Sequence, residues 1–160
     1  MSDDHIAIYL NDHLAGSVAA VELLDQLQED HSGTPLEGFF TELRTDIEAD
    51  RQELESLMER LNVTESRTRK ASAWLAGKFA EPKLRLDDPS GGELRLFESL
   101  EALSLGIEGK RSLWRALATA AEQTPALQLL DYGRLTQRAE EQRARVESKR
   151  LEAGKKALAR

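Results

Sequence analysis

Apolar residues recur every three or four positions along most of the chain, the period of a helix that buries one face. Ile6, Leu10, Leu14, Val18, Val21, Leu24 and Leu27 predict a first helix over about 4–30, capped by Ser2, Asp3 or Asp4 and closed at Gly33. Thr34-Pro35-Leu36-Glu37 reads as a capping box, with Thr34 as N-cap and Pro35 in the first helical position. It opens a second helix over about 35–61, whose seam Phe40, Leu43, Ile47, Asp50, Leu54, Leu57, Leu61 is a near-strict heptad. A shorter helix over 65–80 carries Trp74, Leu75 and Phe79 and ends at Glu81-Pro82, before the looped stretch LRLDDPSGG. Ser90-Gly91-Gly92-Glu93 is a second capping box and starts a helix over 91–122, with the seam Leu96, Leu100, Leu103, Ile107, Lys110, Trp114, Leu117. Thr124-Pro125 opens a last helix over 125–157, bent near Asp131-Tyr132-Gly133. Its apolar stripe is thin (Leu127, Leu130, Leu135, Ala139, Val146, Leu151), and residues 147–160 are polar enough to fray or project into solvent.

The lengths of the links set the expected architecture. His31–Thr34 and Gln123–Pro125 are short, so each joins two antiparallel neighbours, while about thirty residues separate the two hairpins. The whole chain, 1–160, therefore reads as one all-α domain: an antiparallel four-helix bundle of two long hairpins, with a shorter helix in the crossover and a polar, extended C-terminal helix. A plain five-helix bundle, with 65–80 as a full member, is the alternative. In this element order, and in the stretches LNDHLAGSVAAVELLDQL, GIEGKRSLWRAL and RAEEQRARVESKRLEA, the chain resembles a bacterial branch of the ferritin-like superfamily.

That resemblance implies a place for a metal site but not its ligands. Metal-carboxylate members of the superfamily use a Glu-x-x-His pair on each of two helices, because residues three apart share a helix face. Here the histidines are His5, His13 and His31, and no Glu-x-x-His occurs. The nearest equivalents run from Glu48 to Arg51 and from Glu141 to Ala144, each lacking the nitrogen ligand. No catalytic residue and no cofactor is expected. A divergent metal site built from carboxylates and His13, with Glu22, Asp50 and Glu108 as candidates, is the alternative.

Composition narrows the function further. The 160 residues include no cysteine, which excludes disulfides and thiolate chemistry. Aromatics are 5%, too few for base-stacking platforms. The start MSDDHIAIYL lacks a cationic signal, and no apolar run reaches the ~18 residues of a membrane span, so the expectation is a cytoplasmic protein. Net charge is −7 but unevenly placed: residues 1–60 hold fifteen acidic and three basic side chains, and residues 61–160 hold fourteen and nineteen. The halves should attract each other, within one chain or between copies. An acidic protein is a poor ligand for nucleic acid, and Glu140, Glu141, Glu147 and Glu152 dilute the basic C-terminal helix. The expected role is thus non-catalytic: self-association or binding of a protein partner, through the acidic first half and the basic last helix.

Charged residues on the seams are the remaining oddity. Asp50 and Lys110 interrupt two of them, and His13 lies in line with Leu10, Ser17 and Leu24. Counted from the turn at Gly33, His13 and Asp50 differ in depth by about three residues, ~4.5 Å. A His13–Asp50 hydrogen bond would raise the His13 pKa and serve as a register-setting pair or a proton-linked switch. Lys110 is expected to pack its stem and turn its ammonium outward, with Leu113 filling the core. Trp74 and Trp114 read as core packing. Gly106 and Gly109 point to close approach of a neighbouring helix, or to a weak point.

Overall fold

The computed structural model describes residues 2–66 and 92–160, which form four α-helices and, among the described residues, no strand. They are α1 (Ser2–Asp30), α2 (Pro35–Arg60), α3 (Glu93–Ala121) and α4 (Tyr132–Ala157). The expected helix over 65–80 and the Ser90 capping box lie outside the described residues. No helix among the described residues is long and apolar enough to cross a membrane.

The seams bury as their spacing requires. On α2, Phe40, Leu43, Ile47, Asp50, Leu54 and Leu57 are all buried, joined by Met58. On α3, Leu100, Leu103, Ile107, Trp114 and Leu117 are buried, and Leu113 with them. On α4 the stripe differs from the expected one beyond Val146: Leu151 is 56% exposed, whereas Ala153 and Gly154 are buried. Leu135, Ala139, Gln142, Val146 and Ala153 follow a heptad in which Gln142 takes an apolar place. Of the two expectations for 147–160, the stretch remains helical to Ala157 and most of its residues face solvent. Helix α4 stays regular to Ala157 because small residues near its end let Phe97 of α3 lie against the backbone; a Cβ on Gly154 would come within 2.9 Å of the Phe97 ring.

Three local signals act differently from their simplest reading. The first capping box does not close: Glu37 accepts from the Gly33 amide, one residue before the N-cap, at 2.8 Å, while the Thr34 hydroxyl donates back to the His31 carbonyl at 2.6 Å. Helix α2 ends in a Schellman turn, with Asn62 at φ 54°, its amide on the Glu59 carbonyl and the Val63 amide on the Met58 carbonyl. Thr124-Pro125 opens a single 3-10 turn, Pro125–Leu127, and the last helix starts later, at an Asp131 N-cap that accepts from the Arg134 amide. What reads as a bend in one helix is thus a break between two. Tyr132 closes it from inside, its hydroxyl donating to the Leu127 carbonyl at 2.6 Å.

The core falls into two apolar clusters. One gathers Leu10, Leu14, Leu54, Leu57, Leu113, Trp114, Leu117 and Leu135; the other gathers Val21, Leu24, Phe40, Leu43, Ile47, Leu103, Ile107 and Ala139. Each helix changes cluster at one level: between Leu14 and Val21, Ile47 and Leu54, Ile107 and Leu113, Leu135 and Ala139. That level holds the polar residues. At the C-terminal end, Gly154→Val should cost about 1–3 kcal/mol by overpacking Phe97, read as a lower urea midpoint with unchanged slope.

Candidate functional site

Asp50 is the centre of the polar level. Its heptad position carries it inward, and it is 1% exposed. A buried carboxylate is tolerated only when its lone pairs are matched, and three side chains do this. Lys110 Nζ of α3 donates to Asp50 Oδ2 at 2.6 Å, and Gln142 Nε2 of α4 donates to the same oxygen at 2.8 Å. Lys110 also donates to Gln142 Oε1 at 2.5 Å, closing a three-membered ring of hydrogen bonds. Arg138 Nη2 of α4 lies 3.0 Å from Asp50 Oδ1, an ion pair without the alignment of a hydrogen bond. Arg138 is held from behind by the Asp46 carbonyl.

The expected His13–Asp50 bond is not what forms. Asp50 turns to Lys110, Gln142 and Arg138, and His13 packs edge-on against Tyr9, with ring centroids 4.8 Å apart. The pKa of His13 also moves opposite to expectation. Burial disfavours its charged form and lowers it below 6.5, against a weaker upward pull from Asp12. The Lys110 ammonium likewise turns inward rather than out to solvent, since a buried carboxylate within reach outweighs the solvation it gives up. Burial lowers its pKa, and Asp50 opposes that shift. Leu113 fills the core beside it as expected.

Beside this cluster lies a cavity of about 530 Å³ between α1 and α3, with α2 beneath it. Asp12, His13, Gly16, Ser17 and Ala20 of α1 face Gly106, Gly109, Lys110 and Leu113 of α3, and Ile47, Asp50 and Leu54 lie at the base. Gly106 and Gly109 are therefore not points of close approach. Among the described residues, a Cβ built on either meets nothing within 4 Å, so their missing side chains leave room rather than bring described helices together.

The other candidates lie apart from the cavity wall. Glu108 is a half-exposed partner of Arg111 and Arg143, at 2.9 and 3.3 Å. Glu22 is exposed. Among the described residues no three His, Asp or Glu side chains are grouped as metal ligands. Two residues of the site are harder to see in sequence. Gln142 occupies a heptad position of α4 but is polar, as Asp50 is on α2, and scanning α4 for interrupted heptads finds it. Arg138 carries no such signal. A further buried polar residue, Asn11, pins the chain beyond α2: its amide donates to the Thr64 carbonyl at 3.0 Å and its oxygen accepts from the Ser66 amide at 2.6 Å.

Comparisons with protein-family models, with curated proteins and with solved structures return no match. The site thus stands on its own geometry.

Two outcomes test it. Asp50→Ala strands two cations and should cost about 3–5 kcal/mol, whereas Lys110→Met leaves Asp50 with Gln142 and Arg138 and should cost clearly less; urea unfolding of both compares them. For His13, the unfolded chain binds its proton at higher pH than the folded chain. Its contribution to stability is complete above 6.5 and is lost as pH falls through the lowered folded value. His13→Asn should therefore shrink the loss of denaturant midpoint between about pH 7 and about pH 5.

Proposed function

We propose that this chain is a non-catalytic binding protein, a helical bundle of ferritin-like layout that takes a small, mainly apolar molecule into the cavity between α1 and α3. The cavity carries the reading. Its 530 Å³ falls in the range of about 300–1,000 Å³ usual for small-molecule sites, and it combines an apolar lining with a few convergent polar groups.

The order of residue pairs supports the layout. Asp25 meets Arg44 between α1 and α2, while Glu101 meets Arg150 and Glu108 meets Arg143 between α3 and α4. Between α2 and α4, Asp46 meets Arg145 and Glu53 meets Arg134. Asp30 meets Arg95 at one end of α1 and α3, and Leu10 shares a cluster with Leu117 at the other. Wherever two pairs join the same two helices, numbers that rise along one fall along the other, and the short turn at Gly33 sets α1 against α2 in the same antiparallel sense. Helices α2 and α3 then point the same way, as in the ferritin-like order.

Two earlier expectations change weight. Self-association was motivated by the opposite charges of the two halves. Asp30–Arg95, Asp46–Arg145, Asp50–Lys110, Asp50–Arg138 and Glu53–Arg134 join those halves within a single chain, so the asymmetry has a use that needs no second copy. A divergent carboxylate metal site has to recruit Asp50, both of whose oxygens face cations. In metal-carboxylate bundles carboxylates surround a cation; here one carboxylate is surrounded by an ammonium and a guanidinium.

The test uses the neutral fluorophore N-phenyl-1-naphthylamine. The protein should bind it saturably, and Gly106→Leu, which puts a side chain into open space, should weaken binding about tenfold or more with helicity and melting temperature preserved. Absence of saturable binding, or equal binding by both proteins, overturns the reading.

A further inference from the structure

The polar groups at the base of the cavity are not balanced in charge or in hydrogen bonding. Asp50 supplies one negative charge at the core, and Lys110 and Arg138 supply two positive charges against it. Gln142 is neutral, and the nearby Asp46 carboxylate is held by Arg145. Lys110 is 15% exposed and Arg138 27%, so the cluster is shielded from solvent but not sealed.

The hydrogen bonds are one-sided in the same sense. An ammonium has three N–H donors. Lys110 uses one on Asp50 and one on Gln142, and among the described residues the third has no acceptor. Asp50 Oδ2 accepts from Lys110 and Gln142, Asp50 Oδ1 has the Arg138 ion pair but no hydrogen bond, and the Gln142 amide uses its oxygen on Lys110 and its nitrogen on Asp50. Asp50 Oδ1 is sealed from solvent, so the group at this level that a ligand can reach is the Lys110 ammonium, with its unused donor and its positive charge.

The rest of the wall carries charged groups with partners of their own. Arg51 is paired with Glu55 at 2.8 Å. Asp12 of α1 is a second carboxylate on this wall and is not without a partner, and beside it burial lowers the His13 pKa and disfavours its charged form. Leu23, Ile47, Leu54, Leu103 and Ile107 present alkyl surface.

We propose that the occupant of the cavity is a small monoanion with an apolar body, an alkyl or aryl carboxylate in class, and that Lys110 is the group that receives its head. This rests on the cavity reading above and deepens it. A single anion gives the cluster two negative and two positive charges and fills the open N–H of Lys110 with a charge-assisted bond. The body of the ligand takes the place of the side chains that Gly106 and Gly109 lack.

Calorimetric titration with octanoate, octan-1-ol and octylamine tests the class, because the three share one alkyl chain and differ in the head. Octanoate should bind at least about tenfold tighter than octan-1-ol, and octylamine most weakly. Lys110→Met should abolish the preference for octanoate over octan-1-ol. The ranking on the unaltered protein is read without any substitution, so it decides the ligand class even where Lys110→Met does not fold. If octan-1-ol or octylamine binds as well as octanoate while N-phenyl-1-naphthylamine still binds, the anion class is overturned and the cavity reading stands. If neither the fluorophore nor any octyl compound binds, both fall. Retention of the octanoate preference in folded Lys110→Met overturns the role of Lys110.

Discussion

The carboxylate of Asp50 is the constraint around which the bundle is arranged. It cannot leave the core, because it occupies a heptad position of α2 flanked by Ile47 and Leu54. It cannot stay there alone, because desolvating a charge without partners costs several kcal/mol. Each of its partners comes from the second pair of helices, so satisfying this one group fixes how α3 and α4 sit against α2. An apolar residue at the same place would bind those helices through nonspecific packing, which tolerates a slip of register. A carboxylate that must meet Lys110, Gln142 and Arg138 tolerates far less.

The division of the core follows from the same group. Apolar side chains above and below pack into separate clusters because the level between them is filled by hydrogen-bonded polar atoms. Among the large apolar residues that α1 and α3 present on that side, the chain intersperses small ones, Gly16, Ser17, Ala20, Gly106 and Gly109. Lys110 is drawn inward toward Asp50, so its stem does not fill the space above Gly106. A cavity next to a buried ion pair is therefore a consequence of two local choices, a charge on one helix and small residues on two others. The outer ion pairs add orientation more than energy. Exposed pairs of this kind are worth ~0–1 kcal/mol each, but their consistent order along α2 and α4 favours one alignment over its neighbours.

The helices and much of the core were legible in the chain. The heptad of α2 named its buried residues in order, Asp50 among them, because residues that repeat with the helix period must share a face whatever they pack against. The start of α2 followed from Pro35 and the turn at Gly33 before it. Where local reading failed, tertiary contact outweighed it. The end of α4 looks too polar to hold, yet Gly154 admits Phe97 and the helix continues. The break at Asp131 looked like a bend because apolar spacing continues across it.

The partners of the buried charges lay beyond what sequence alone determines. Spacing places Asp50 and Lys110 on the inner faces of their helices but does not say which facing side chain each will meet. His13 has the right depth for Asp50, and only the packing of the helices shows that a lysine on α3 and a glutamine on α4 reach it instead. The glycines of α3 are ambiguous in the same way: an absent side chain permits close approach or leaves a hole, and the choice depends on the distance of the neighbouring helix. Periodicity is a property of one helix and is written in its residues. Pairing and empty space are properties of several helices at once, and they exist only after those helices have met.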